Sequence, residues 1–229
     1  MAHWLIAGAS RGIGLELARR LAKQGERVTA SVRSERGRAT LATALAPLGD
    51  RGRILSFDTR DQSQISAAAA QVTEPVDVLV ANAGAYGPKR QTALDMDFEG
   101  ALDLFSVNSL GPLRVAQAFL PQLRLGERPR IVMMSSVLGS MALAGTVNAA
   151  YRASKAALNK FAQCLADELR PAGVAVVSLH PGWVRTDMGG PGATLSVEES
   201  AEGIIKVVES LTLSDTRRYV DYRGVDIDW

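Results

Sequence analysis

The sequence predicts an α/β fold, a doubly wound parallel sheet of about seven strands with helices on both faces, and three observations lead there. Apolar, β-rich runs recur along the chain, each is followed by a helical pattern, and the strands are apolar at nearly every position instead of alternating. Strands of that kind are buried on both faces by crossover helices. The runs are Trp4–Ala9, Val28–Val32, Arg53–Phe57, Val76–Ala81, Arg130–Met134 and Val174–Leu179, with a weaker one at Arg218–Tyr222. The first helix sets Ile13, Leu17 and Leu21 with Ala18 and Ala22 on one stripe, and Gly25 is placed to end it. Further helices are expected over Glu35–Leu48, Gln62–Val72, a long segment around Phe98–Leu125, Ala149–Leu169 and Val197–Leu211.

At 229 residues the chain fits one domain, residues 1–229, and neither an internal repeat nor a linker divides it. Hydrophobic residues make up 47% and charged residues 22%, a globular balance. A net charge of +2 with arginines spread along the chain argues against a nucleic-acid partner. The single cysteine, Cys164, cannot form an intramolecular disulfide, and its neighbours Leu158, Phe161 and Leu165 suggest that it packs inside a helix. Met1–Leu5 enters a strand without the basic and apolar regions of a signal peptide, and no apolar run approaches the roughly 20 residues that span a bilayer. The expected location is the cytoplasm, with no membrane partner.

After the first strand comes Ala7-Gly8-Ala9-Ser10-Arg11-Gly12-Ile13-Gly14, leading straight into a helix. Gly8 allows a tight turn, Gly12 lets backbone approach a phosphate, and Gly14 permits close helix-on-strand packing. The helix N-terminus offers N–H groups and positive dipole charge to a dinucleotide pyrophosphate. About 20 residues past such a loop, an acidic residue suits the ribose hydroxyl of NAD and an arginine suits the 2′-phosphate of NADP. The second strand ends in Val32-Arg33-Ser34, so Arg33, helped by Arg11, is the candidate phosphate ligand and NADP(H) the expected cofactor. The competing reading makes both arginines solvated and Glu35 the ribose ligand. Asp58-Thr59 closes the third strand where a carboxylate can accept from an adenine amino group, although an ordinary loop aspartate fits as well. Asn82-Ala83-Gly84 closes the fourth at the edge where such sheets bind ligand.

Tyr151 and Lys155 stand at i and i+4 on one helix face. A free phenol, with a pKa near 10, is a poor base at neutral pH, and a nearby ammonium together with an oxidised nicotinamide favours the phenolate. Such a pair alone is an ordinary surface motif. Its position behind a phosphate loop gives it force.

The spacing of Gly8, Gly12 and Gly14, with Asn82-Ala83-Gly84, Asn108, Ser135-Ser136, Tyr151-x-x-x-Lys155 and Pro181-Gly182 in this order, resembles the short-chain dehydrogenase/reductase family across essentially the whole chain. That resemblance implies a Rossmann-type fold and reduction of a carbonyl by hydride from the nicotinamide. Ser136 then binds the substrate carbonyl, Tyr151 donates the proton, and Lys155 holds the cofactor ribose and lowers the tyrosine pKa. It further implies that Asn108 supports a water-mediated proton relay, and that Pro181, Gly182, Val184 and Thr186 meet the nicotinamide. Gly8, Ser10, Arg11, Gly12, Ile13 and Gly14 line the phosphates. No metal is called for. On the residues alone, Asn108 equally suits relief of helix strain and Ser136 a strand-end turn.

Ser135 to Ser140, Tyr151 to Asn159, His180 to Gly190 and a final tryptophan resemble sniffer-like carbonyl reductases and C-factor-like proteins. Three departures stand out: Ala7 replaces the usual threonine, Ala81 replaces the first asparagine of a pair, and Ser136 lies fifteen positions before Tyr151. The last leaves Ser135 or Ser140 as substitutes for Ser136. His180 reads as a packed strand end, and the short interval from Asp187 to Ser200 as an open pocket. Expected partners are a small carbonyl or alcohol substrate and a second copy of the chain, through the helices at Phe98–Leu125 and Ala149–Leu169. A regulatory NADP(H)-binding protein of the C-factor kind is the alternative function.

Overall fold

Apolar strands that alternate their side chains across a sheet must be covered on both sides, and the architecture follows from that requirement. In the computed structural model, which describes residues 1–229, the strands are β1 (His3–Ala7), β2 (Arg27–Val32), β3 (Gly52–Ser56), β4 (Val78–Ala81), β5 (Arg130–Met134), β6 (Ala175–His180) and β7 (Tyr219–Asp221). They form one seven-stranded sheet in the order β3-β2-β1-β4-β5-β6-β7, and every neighbouring pair is parallel. The chain winds outward from β1 in one direction and from β4 in the other. The crevice at their carboxyl ends is therefore the switch point where such sheets take ligands.

The helices are α1 (Gly12–Lys23), α2 (Glu35–Leu45), α3 (Gln62–Ala69), α4 (Phe98–Phe105), α5 (Gly111–Ala118), α6 (Leu120–Leu123), α7 (Ala149–Leu169) and α8 (Val197–Ser210). Trp4 and Ile6 of β1 pack with α1, α2 and α8 on one face. Leu5 and Ala7 pack with α3, α5, α6 and α7 on the other. The two cores hold 26 and 24 buried residues, so neither face is left to solvent.

The segment expected as one helix over Phe98–Leu125 is broken into α4, a π turn at Ser106–Leu110, α5 and α6. Pro112 and Pro121 lie in the first turns of α5 and α6, where a residue with no N–H starts a helix but cannot continue one. The π turn places Asn108 and Ser109 inside the protein. Pro47 likewise ends α2 at Leu45, and a 3₁₀ segment follows over Ala46–Arg51. Cys164 is exposed, not packed. The inward stripe of α7 runs through Leu158, Ala162, Leu165, Ala166 and Leu169, and position 164 falls off it. No helix is long and apolar enough to cross a membrane.

The approach of α1 to the strand ends is close enough to exclude a side chain. A Cβ on Gly14 would stand 2.2 Å from the Gly8 carbonyl oxygen and 2.6 Å from Asn82 Nδ2. Gly14→Ala is expected to lower the unfolding free energy by about 1–3 kcal/mol through overpacking. The effect is read as a lower urea midpoint, and an unchanged midpoint would show that α1 can shift freely.

Candidate active site

Where β1 ends, Gly8 turns the chain with φ +88°, and a Cβ there would meet Ala83 backbone at 2.8 Å. Its N–H donates to Ser31 Oγ at 3.0 Å and its carbonyl accepts from Asn82 Nδ2 at 2.7 Å. Asn82 thus braces the turn, and the ends of β1, β2 and β4 are fastened together. α1 opens with no side-chain cap and no acidic residue in its first turn. The first-turn N–H groups of Gly12, Ile13 and Gly14 have no partner of their own in a helix, and the helix dipole adds positive charge there. This cradle of free donors fits the pyrophosphate of a dinucleotide. The Thr186 methyl stands 3.3 Å from where a Gly12 Cβ would be, so the loop after β6 borders the same cradle.

The two arginines expected to work together have different partners. Arg11 forms an exposed ion pair with Asp187, from the loop after β6. Arg33 lies at the end of β2 with its Nη1 3.7 Å from Asp58. The Asp58 carboxylate is engaged by Arg60 at 2.7 and 3.1 Å, and the hydrogen bonds from Arg60 hold its pKa below the usual carboxylate range despite some desolvation. Thr59 is buried, and its carbonyl accepts from Arg114 at 3.4 Å. Ser10 packs against Gly37 in the first turn of α2, while Ser34 caps that helix by accepting from the Gly37 N–H. Arg38, one turn further on, donates to Ser56 Oγ at the end of β3 at 2.9 Å and adds positive charge in this region. Glu35 is solvent-exposed and 3.8 Å from Arg38.

At the other end of the crevice α7 brings Tyr151 and Lys155 inward, both buried. Lys155 Nζ lies 6.0 Å from the centre of the Tyr151 ring and donates to the Met134 carbonyl at 2.7 Å. Burial brings the Lys155 ammonium down to about 8. Burial pushes the Tyr151 phenol up, and its hydrogen bond with the Ser136 side chain acts in the opposite direction. The Ser135 hydroxyl is spent on Asn159 Oδ1 at 2.6 Å, and Ser140 closes a backbone turn to Val137. The Ser136 hydroxyl accepts from the Leu138 N–H at 3.3 Å, at the start of the turn that follows β5. The main-chain carbonyl of Ser136 accepts from the Tyr219 hydroxyl, which anchors this strand end.

Asn108 is wholly buried and its amide is fully committed. Oδ1 accepts from Ala85 N–H at 2.8 Å, and Nδ2 donates to the Ala85 carbonyl at 2.9 Å and to Ser154 Oγ at 3.1 Å. It therefore braces the residue that follows Gly84. A Cβ on Gly84 would stand 3.4 Å from Asn108 Oδ1 and 3.7 Å from Lys155 Nζ, so these three meet at one point. In the loop after β6, Pro181 accepts from Ser200 Oγ at 2.7 Å, Gly182 takes φ +87° against Leu195 and Tyr222, and Val184 is buried. Thr186 Oγ1 accepts from Gly189 N–H at 3.1 Å. Beside Ser136 lies a cavity of about 440 Å³ lined by Val137, His180, Gly182, Trp183, Leu195 and Tyr222. Burial lowers His180 to about 4, which leaves it a neutral, packed strand end.

Sequence reasoning missed Tyr86 and Gln91. The Tyr86 ring packs on Tyr151 at 5.3 Å between centroids, and the buried Gln91 bonds to the Tyr151 N–H. Neither belongs to a motif, and both contacts span sixty residues or more of chain.

Residues 2–194 match the family model for short chain dehydrogenases. The chain belongs to the short-chain dehydrogenase family. Among curated proteins it is 45% identical to the C-signal of Myxococcus xanthus over 159 residues, which is 69% of this chain and 95% of that protein. Its structure superposes on the carbonyl reductase Sniffer of D. melanogaster with a TM-score of 0.91 at 31% identity, covering all of both chains. A carbonyl reductase from Pseudomonas aeruginosa in complex with NADP aligns with a TM-score of 0.86 at 37% identity, also over both full chains.

The buried Lys155 of this short-chain dehydrogenase makes stability depend on pH. Between the folded pKa of about 8 and the ordinary lysine value of 10.5, the unfolded chain holds a proton that the folded chain has lost. Stability contributed by this group therefore rises with pH across that window and is lowest below it. Relative to Lys155→Met, wild-type stability without cofactor is expected to gain roughly 2 kcal/mol between about pH 7 and about pH 9.5. Urea titrations of both proteins at each pH check it, and parallel curves would contradict the assignment.

Proposed function

We propose that this chain is an NADP(H)-dependent oxidoreductase that reduces an aldehyde or ketone to the alcohol. The observation that carries the reading is the burial of Ser136, Tyr151 and Lys155, with Lys155 beside both the Tyr151 ring and Gly84, at the same sheet edge as the free N–H groups of the glycine turn. The P. aeruginosa relative with NADP bound supports the choice of cofactor, as does Arg33 at the end of β2. In this reading the pyrophosphate rests on Gly12, Ile13 and Gly14, Arg33 takes the 2′-phosphate, and Lys155 takes the nicotinamide ribose. Asp58 and Thr59 border the adenine. Pro181, Gly182, Val184 and Thr186 border the nicotinamide.

The bound reduced cofactor supplies a hydride to the carbonyl carbon. The chain's own work is at the oxygen. Ser136 donates a hydrogen bond to it as negative charge develops, which is where a fixed donor accelerates reaction. Tyr151 gives its phenolic proton to the same oxygen, and its O–H bond breaks as the alcohol O–H forms. The phenolate left behind faces the Lys155 ammonium, which stabilises it until solvent returns a proton. Asn108 holds Ala85, and through it the wall of the site. We also assign a second copy of the chain as partner: Phe98 and Leu102, one turn apart on α4, are 75% and 65% exposed.

Four outcomes follow. Tyr151→Phe is expected to lower carbonyl reduction by about 10²–10⁴ while leaving NADPH binding intact, since only the hydroxyl is lost. Wild-type turnover in that variant would sink the assignment, and no wild-type turnover across a broad set of aldehydes, ketones and quinones would favour a cofactor-binding regulatory protein. NADPH is expected to bind more tightly than NADH, and Arg33→Asp to reverse the order in a fluorescence titration. Light scattering is expected to give at least twice the 24.4 kDa chain mass.

A further inference from the structure

α7 starts with no side-chain cap of its own. Asn148, at its N-cap, has a left-handed backbone (φ 59°, ψ 40°), and its side chain makes no capping bond. The first N–H groups of a helix must then find partners elsewhere. Gln91 supplies two from a loop sixty residues upstream. Its main-chain carbonyl accepts from the Ala150 N–H at 3.3 Å, and its Oε1 accepts from the Tyr151 N–H at 3.1 Å. The amide nitrogen of the same side chain donates to the carbonyls of Tyr86 at 3.1 Å and Pro88 at 2.9 Å. At 3% exposure none of these bonds is exchanged for water. Gln91 thus ties the start of α7 to the segment that leaves Gly84.

Tyr151 and Lys155 depend on this tether unequally. Tyr151 is the third residue of α7, inside the turn that frays first. Lys155, one turn deeper, is anchored separately through Met134, and the intervening Ser154 is held by Asn108. Loss of the tether would therefore move the phenol before it moved the ammonium. We propose that Gln91 is a positioning residue for Tyr151, setting the phenol against Ser136 and Lys155 and locking Tyr86 beside it. This rests on the oxidoreductase reading above. A phenol displaced from its cation has a higher apparent pKa and delivers its proton from a poorer position, while the glycine cradle and Lys155 continue to hold cofactor.

Gln91→Met, close in size and without the amide, tests it. On whichever carbonyl and alcohol pair the wild type turns over, kcat is expected to fall about 10- to 100-fold, with substrate KM and NADPH Kd changed by less than about threefold, as for a misplaced group that does not bind. The apparent pKa governing kcat for alcohol oxidation should move up. A kcat within about twofold of wild type and an unmoved pH profile overturn the proposal. Where Gln91→Met does not fold, Gln91→Asn, too short to reach both Tyr151 and Pro88, is held to the same criteria. Tyr151→Phe in the same assay separates the two readings: an inactive Tyr151→Phe with a fully active Gln91→Met rejects the tether alone, whereas an active Tyr151→Phe rejects the proton donor. Amide exchange of residues 149–153 reads the tether without turnover. It should be at least about tenfold faster in Gln91→Met, and equal rates also overturn the proposal.

Discussion

The ammonium of Lys155 donates to the Met134 carbonyl at 2.7 Å, makes no ion pair, and is 4% exposed. A buried charge without a counter-charge is costly, and it shifts its pKa toward the neutral form unless an anion arrives. The Tyr151 ring centre lies 6.0 Å from that ammonium, and burial favours the protonated phenol. An anion formed beside the ammonium would return the lysine toward its charged state. Gly84 and Asn108 close around the same ammonium. The Lys155 and Tyr151 side chains are both buried where β4, β5 and α7 meet.

The scaffold is a consequence of the double winding. Because β1 and β4 sit side by side at the centre of the sheet, their carboxyl ends bring the Gly8 turn and Asn82–Gly84 into contact. β5 and β6, next in order, deliver Ser136 and the Pro181 loop to the same edge. α7 packs across the second core face and presents its N-terminal turn there. Tyr151, Ser136 and the glycine turn thus come from segments far apart in sequence. They converge because parallel strands all end on one side.

What could be read from the sequence was whatever is encoded locally. Strand periodicity, the glycine spacing and the i, i+4 relation of Tyr151 and Lys155 each lie within one element, and the sheet and α7 appear where those signals place them. The break in Phe98–Leu125 was also written in the chain, as Pro112 and Pro121, but the apolar stripe continues past both and masks them. Cys164 misled for a similar reason, since apolar neighbours in sequence do not share its helix face. Contacts between distant segments left no such trace. Arg11 has the composition of a phosphate ligand, yet it pairs with Asp187, 176 residues away, and only the folded loop after β6 reveals that. The bond from the Ser135 hydroxyl to Asn159, 24 residues further on, is likewise visible only in the fold.

Two buried amide side chains do more to define the site than their chemistry suggests. Asn108 grips Ala85 through both its N–H and its carbonyl, and Gln91 grips the carbonyls of Tyr86 and Pro88. Between them they fix the backbone from Gly84 to Pro88, an irregular stretch with no sheet or helix ladder to hold it. An amide suits this task because it offers donor and acceptor in one rigid plane and carries no charge to perturb the lysine and tyrosine nearby. A carboxylate in either position would satisfy the N–H groups but repel the carbonyls, and its charge would push the pKa of the nearby Tyr151 phenol further up. Asn108 and Gln91 brace this stretch from opposite ends without adding a charge beside Lys155 and Tyr151.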